Sequence, residues 1–174
     1  MLLFEALAAH HDLARFHSGN SRLDDYLKRE ALERQGRGEV RVFVLLDTEA
    51  PADRPLGYIA LAATGYYIPT LDSTDASMAQ ETFEYMAMLS FLARDLTWRG
   101  KGIGDLLLIE ALKQCVLAAQ HIGLPGIFLE TTKEGARLYE SFGFSWLDPA
   151  DGYMYLPMTK ARAILQTVKG SETA

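Results

Sequence analysis

Apolar residues recur along this chain at two periods, and the switches between them mark its elements. From Ser21 onward, Leu23, Tyr26, Leu27, Ala31 and Leu32 fall at helical spacing. Asn20 or Ser21 is placed to cap that helix, and Gly36 and Gly38 are placed to end it. Val40 to Leu46 (VRVFVLL) is apolar and β-branched, which predicts a strand. Glu49 to Arg54, with Pro51 and Pro55 around it, reads as a turn, and Leu56 to Ala63 as the second arm of an antiparallel hairpin. Thr70 to Gln80 is polar and reads as a mobile loop. A third strand runs from about Phe83 to Ala93, almost continuously apolar from Tyr85, as in a strand covered on both faces.

Beyond a glycine-rich turn, Ile103, Leu107, Ala111, Cys115, Ala118 and Ile122 trace one stripe of a helix. Pro125 and Gly126 lead into a short strand, Ile127 to Glu130, followed by a helix from about Lys133 to Phe142 that Gly143 closes. Strands are expected around Phe144 to Trp146 and Tyr153 to Leu156, and a last helix from about Thr159. A helix, a meander of strands and two strand–helix units make an α+β or α/β three-layer architecture. No repeat or linker divides the 174 residues, so one domain over 1–174 is expected.

Composition narrows the function classes. Hydrophobic residues are 49% and charged residues 23%, which excludes a disordered chain. The net charge of -6 opposes non-specific nucleic-acid binding by the protein as a whole, since such binding needs positive charge. The single cysteine, Cys115, allows no intramolecular disulfide and no Cys-rich zinc site, and its place on the helical stripe makes it a buried, inert thiol. His10, His11, His17 and His121 lack ligand partners at metal spacing, so no metal is expected. The opening MLLFEALAAHH has no basic region before its apolar stretch, and no apolar run approaches about 18 residues. A cytoplasmic protein without a membrane span is expected.

The chemistry is concentrated in Arg94-Asp95-Leu96-Thr97-Trp98-Arg99-Gly100-Lys101-Gly102-Ile103-Gly104, between a buried strand and an amphipathic helix. Glycines let backbone approach a ligand, and a helix start aims free N–H groups outward, so an anion such as a pyrophosphate suits this turn. It is not a P-loop, because no Gly-Lys-Ser/Thr follows, and it lacks the third glycine of a Rossmann fingerprint.

Arg99-Gly100-Lys101-Gly102-Ile103-Gly104 resembles the Arg/Gln-x-x-Gly-x-Gly/Ala hallmark of the GNAT family of acetyl-CoA-dependent N-acetyltransferases. Leu92-Ala93-Arg94-Asp95 is similar to that family's "Leu-Ala-Val-Asp" strand end. Ala136-Arg137-Leu138-Tyr139-Glu140-Ser141-Phe142-Gly143-Phe144 is similar to its "A-x-x-Leu/Phe-Tyr-x-x-x-Gly-Phe". Phe16 to Leu27, Arg41 to Leu45 and Gly57 to Leu61 resemble the subgroup that serves as toxins of bacterial toxin–antitoxin pairs and acetylates the amine of aminoacyl-tRNA. That subgroup usually has Arg where this chain has Phe91, and Val where it has Arg94.

The resemblance implies a GNAT-like fold: a central, mixed, mostly antiparallel sheet with a splayed parallel strand pair, flanked by helices. It implies acetyl-CoA as co-substrate in an opening between the strands at Tyr85 to Ala93 and Ile127 to Glu130. Leu92, Ala93 and Arg94 would lie along the cofactor, with main-chain groups of Leu92 and Arg94 beside pantetheine and thioester. Arg99, Gly100, Lys101, Gly102, Ile103 and Gly104 would hold the pyrophosphate, and Tyr139 would be the general acid. Glu84 and Glu130 are candidates for a general base, though a carboxylate at a strand end is usually only solvated. Trp98 would either flank the cofactor or pack. The cluster Lys28, Arg29, Arg34, Arg37 and Arg41, set against Glu30, Glu33 and Glu39, is either a solvated helix face or a tRNA-backbone contact. Partners implied are acetyl-CoA, an amine such as aminoacyl-tRNA, an antitoxin protein and a second copy of the chain. Two further readings stay open: a housekeeping acetyltransferase for a small-molecule or protein amine, and a non-catalytic acyl-CoA-binding domain.

Overall fold

In the computed structural model, which describes residues 1–50, 54–69 and 81–172, Asn20 starts the first helical run as its side chain predicts. Its Oδ1 accepts from the Arg22 and Leu23 amides at 3.0 and 3.4 Å. The run is built in three pieces: α1 (Ser21–Asp25), a π-helical turn over Tyr26–Glu30, and α2 (Ala31–Gly36). Gly38, at a φ of +76°, turns the chain out of α2.

The strands are β1 (Leu2–Ala6), β2 (Arg41–Asp47), β3 (Gly57–Pro69), β4 (Glu81–Arg94), β5 (Gly126–Glu130), β6 (Ser145–Asp148) and β7 (Tyr153–Pro157). The remaining helices are α3 (Ile103–Ala118), α4 (Ala136–Ser141) and α5 (Met158–Glu172). They form one mixed sheet in the order β1-β2-β3-β4-β5-β7-β6, with β4 and β5 as its parallel pair. The expected hairpin is present: β2 pairs β3 antiparallel, Val44 opposite Tyr58 and Val42 opposite Ala60.

Two units alternate along the chain, Met1–Ala62 with Leu89–Gln114, and Ala63–Met88 with Cys115–Ala174. In the first, one sheet face buries Val42, Val44, Tyr58, Ala60 and Ala93 against Phe16, Tyr26, Leu27 and Ala31 of the helical run. The opposite face carries α3. A Cβ on Gly57 would meet Leu107 Cδ1 at 2.7 Å and the Ala93 carbonyl at 2.9 Å, so glycine is what admits the helix there. In the second unit β7 pairs β5, Leu156 opposite Ile127 and Met154 opposite Leu129, all four buried. Tyr66, Phe128 and Tyr153 pack ring against ring beside them.

Several boundaries differ from the sequence reading. β1 was not expected, because MLLFEA has no alternating pattern; it is an edge strand, Leu2 is 44% exposed, and its register against β2 defines it. β4 is not covered on both faces where it begins, since Tyr85 is 66% exposed and packs edge-on against Phe83. The α3 stripe ends early: Ala118 is exposed at the last helical residue, and Ile122 lies beyond it, 58% exposed. Leu108 and Leu112 are buried and widen the stripe instead. α4 starts at Ala136, because the preceding residues form a turn in which Thr132 Oγ1 accepts from the Gly135 amide at 3.2 Å. The loop from Thr70 to Gln80, and residues 51–53 of the expected turn, lie outside the described residues.

Candidate functional site

The glycine-rich turn is anchored before it begins. Asp95, 1% exposed, follows the last residue of β4. Its Oδ1 accepts from the Thr97 amide at 2.9 Å and the Thr97 hydroxyl at 2.6 Å, and its Oδ2 from Arg54 Nη2 at 2.7 Å and the His17 amide at 3.1 Å. Burial alone would raise this carboxyl; hydrogen bonds from Thr97, Arg54 and His17 outweigh it and hold the group at about 2. Backbone bonds complete the clamp, from Asp95 N–H to Leu56 O and from Leu96 N–H to His17 O, both 2.8 Å.

From this anchor Leu96–Trp98 makes a 3-10 turn that Asp95 caps, and Arg99 is extended. Gly100 and Gly102 then take φ values of +75° and +74°, with nothing within 4 Å of where a Cβ would stand. Their left-handed backbone is therefore the reason for glycine here, and the space beside them is open. Such a backbone aims successive N–H groups to one side. Leu106 N–H reaches Gly102 O at 3.2 Å, and the Arg99 and Lys101 amides already donate to the Leu96 and Trp98 carbonyls at 3.1 and 3.4 Å, which leaves the amides of Gly100, Gly102, Ile103 and Gly104 unbonded among the described residues at the start of α3. Arg99 and Lys101 are exposed, and Lys101 Nζ sits 4.5 Å from the centroid of the Trp98 ring. Free amides, a helix dipole and two cations are the groups that an anion would meet at this turn. Ala93 is buried in the core cluster, which leaves its backbone alone for a ligand; Leu92 is half-buried.

Tyr139 belongs to the other unit, on α4. Its ring stands edge-to-face with Phe144 at 5.8 Å, and Gly143, at a φ of +84°, folds Phe144 back so that its amide bonds the Tyr139 carbonyl at 3.1 Å. Burial pushes the phenol up to about 12, so the proton stays on oxygen across neutral pH. The hydroxyl has no hydrogen bond among the described residues and is a free donor. Glu130 is exposed at the end of β5 and Glu84 half-buried in β4.

Most of the basic cluster is internally paired. Arg34 and Arg37 both hold Glu39, Arg37 also pairs Glu33, and Arg29 meets Asp25 at 3.6 Å. This is the geometry of a solvated helix face.

The histidines are less isolated than their spacing suggests. Glu5, His10 and His11 come together, with His11 Nε2 2.6 Å and His10 Nε2 3.3 Å from Glu5 Oε1. The Ala8 amide donates to His11 Nδ1 at 3.0 Å, so that ring carries its proton on Nε2 and gives it to Glu5. The same nitrogen is then not free for a metal. The cluster escaped sequence reasoning because Glu5 lies on the unforeseen β1. The Asp95 anchor was missed too, although its Asp-x-Thr spacing is a readable capping signal.

Residues 38–145 match the sequence model of the acetyltransferase (GNAT) domain. The chain is 33% identical over 156 residues to a tRNA-acetylating toxin of Mycobacterium tuberculosis (strain ATCC 25618 / H37Rv), an alignment covering 88% of this chain and 90% of that one. Among solved structures it is similar to AtaT complexed with acetyl-methionyl-tRNAfMet, at a TM-score of 0.82 and 23% identity over 94% of this chain and 99% of that one. It is also similar to an AtaT mutant toxin bound to the C-terminus of the antitoxin AtaR, at a TM-score of 0.78 and 21% identity over 94% and 97%.

Proposed function

Because the chain belongs to the GNAT acetyltransferases, we propose that it moves acetyl from acetyl-CoA to the primary amine of an aminoacyl-tRNA and acts as the toxin of a toxin–antitoxin pair. The observation that carries the cofactor half is the paired left-handed glycines opening onto the free amides of α3, with Arg99 and Lys101 exposed beside them. The acceptor half rests on the relative that shares a third of its residues over nearly the whole chain.

In this reading the free amides of Gly100, Gly102, Ile103 and Gly104 and the side chains of Arg99 and Lys101 hold the pyrophosphate. Backbone groups of Leu92, Ala93 and Arg94 line the pantetheine arm, and one of the N–H groups faces the oxyanion that forms as the amine attacks. The amine nitrogen bonds the acetyl carbon, the carbon–sulfur bond breaks, and the departing thiolate takes its proton from the Tyr139 hydroxyl. The amine's own proton leaves to solvent. An α-amino group titrates near 7.7 to 8.0, so a fair share is already unprotonated at neutral pH and needs no dedicated base.

Neither unit is a continuous stretch of chain, which supports reading 1–174 as one domain. No helix among the described residues is long and apolar enough to cross a membrane, and a cytoplasmic place follows from the proposed substrate. The proposal includes an antitoxin protein as partner, supported by the AtaT–AtaR likeness.

Mass spectrometry of charged tRNA after incubation with acetyl-CoA tests the acceptor. Acetyl on the aminoacyl group is expected; acetyl only on small amines or protein amines would replace the acceptor. Binding of acetyl-CoA without any transfer would reduce the protein to an acyl-CoA sensor. Tyr139→Phe should bind acetyl-CoA as before and lose about 100-fold or more in turnover. Equal turnover would remove Tyr139 from the reaction.

A further inference from the structure

Arg94 carries a buried charged donor with nothing to donate to. Its Nη1 has no hydrogen-bond partner, and the side chain makes no ion pair among the described residues. Among the described residues the other buried side-chain atom in this position, the Tyr26 hydroxyl, is uncharged and lies in the aromatic core with Phe91 and Tyr58. A guanidinium N–H taken out of water without an acceptor is a costly arrangement, which a ligand acceptor would relieve.

The fold says where that donor lies. Ala93 points into the core cluster against the helical run, so strand alternation places Arg94 on the opposite face. That is the face of α3: the point beside Gly57 that lies 2.7 Å from Leu107 Cδ1 lies 3.3 Å from Arg94 Cα. Leu107 is one helical turn beyond Ile103, where α3 begins. Arg94 thus stands at the same end of α3 as the free amides of the turn.

We propose that the Arg94 side chain, in addition to its main chain, is a ligand for a pyrophosphate oxygen of acetyl-CoA. This rests on the reading of the Arg99–Gly104 turn as the pyrophosphate site. The guanidinium presents a planar fork that suits phosphoryl oxygens, and an arriving oxygen satisfies the donor that the free protein leaves unpaired.

Two measurements on the full chain test it, using Arg94→Met and Arg94→Lys. Thermal melting without ligand should show Arg94→Met at or above the wild-type midpoint, since the unpaired buried donor is gone. Calorimetric titration with CoA, dephospho-CoA and pantetheine should show Arg94→Met about tenfold or more weaker for the first two, in line with one lost charged hydrogen bond. Pantetheine, which has no phosphate, should bind both proteins equally, and Arg94→Lys should recover part of the affinity. Equal affinity for CoA in wild type and Arg94→Met would overturn the proposal, as would an equal loss for pantetheine. A loss for CoA but not for dephospho-CoA would move the contact to the 3′-phosphate and overturn the assignment to the pyrophosphate. A ligand-free Arg94→Met that melts well below wild type would make the guanidinium a structural group. If wild type itself binds no CoA, the reading of the turn fails before Arg94 is at issue.

Discussion

Asp95 shows how much one residue contributes when three segments meet on it. It ties His17, Arg54 and Thr97 together immediately ahead of the turn. Its folded pKa of about 2 lies below the ordinary aspartate value, so its contribution is fully present above about pH 4 and is lost as pH falls toward 2. The thermal midpoint of the wild type should fall steeply over that window. Asp95→Asn should flatten this part of the profile and lower stability at neutral pH by about 2 kcal/mol, the order expected for losing the charged acceptor of a buried network. An unchanged acid profile would mean that other carboxylates dominate. Asp24 is the nearest competitor: burial opposes its ionisation, but bonds from Ser18 and His17 hold it below its usual range.

At the scale of elements, the glycine turn and the first helix were both legible because their signals are local. Asn20 capping α1 needs only its neighbours two and three residues on, and Asn20→Ala should cost about 1 kcal/mol, measurable by denaturant titration. The π-helical turn at Tyr26–Glu30 was not legible, because a continuous helical stripe predicts the same burial of Tyr26 and Leu27 with or without it. Gly100 and Gly102 face open space, so alanine there meets no neighbour and is opposed only by the left-handed backbone. Gly100→Ala plus Gly102→Ala should therefore destabilise the free protein by only about 1 to 2 kcal/mol in all, yet weaken acetyl-CoA binding strongly, because the side chains would enter the ligand's space. A variant that bound acetyl-CoA normally would show that the turn's backbone is not the ligand's seat.

For the whole molecule, mass action supplies the simplest check. Acetyl-CoA at about 100 times its dissociation constant should add about 2.7 kcal/mol and raise the midpoint by about 5 to 10 °C for a chain of this size. No shift would remove the cofactor site. The net charge of -6 opposes nucleic-acid partners, and the pairing of Arg29, Arg34 and Arg37 with nearby carboxylates adds to that opposition on their helix face. A tRNA contact must then be local or led by side chains other than these three.

Spacing along the chain was enough for the helix caps, the β2–β3 hairpin, the glycine turn and the Tyr139 segment, because each depends on residues within a few positions of one another. Folding alone could bring His17 and Arg54 to Asp95, pair β1 with β2, gather Glu5 with His10 and His11, and leave a buried donor of Arg94 without a partner. Those arrangements join residues far apart in sequence or depend on what is missing around a side chain. A one-dimensional pattern records neither, since both follow from how the sheet faces and helices close on each other.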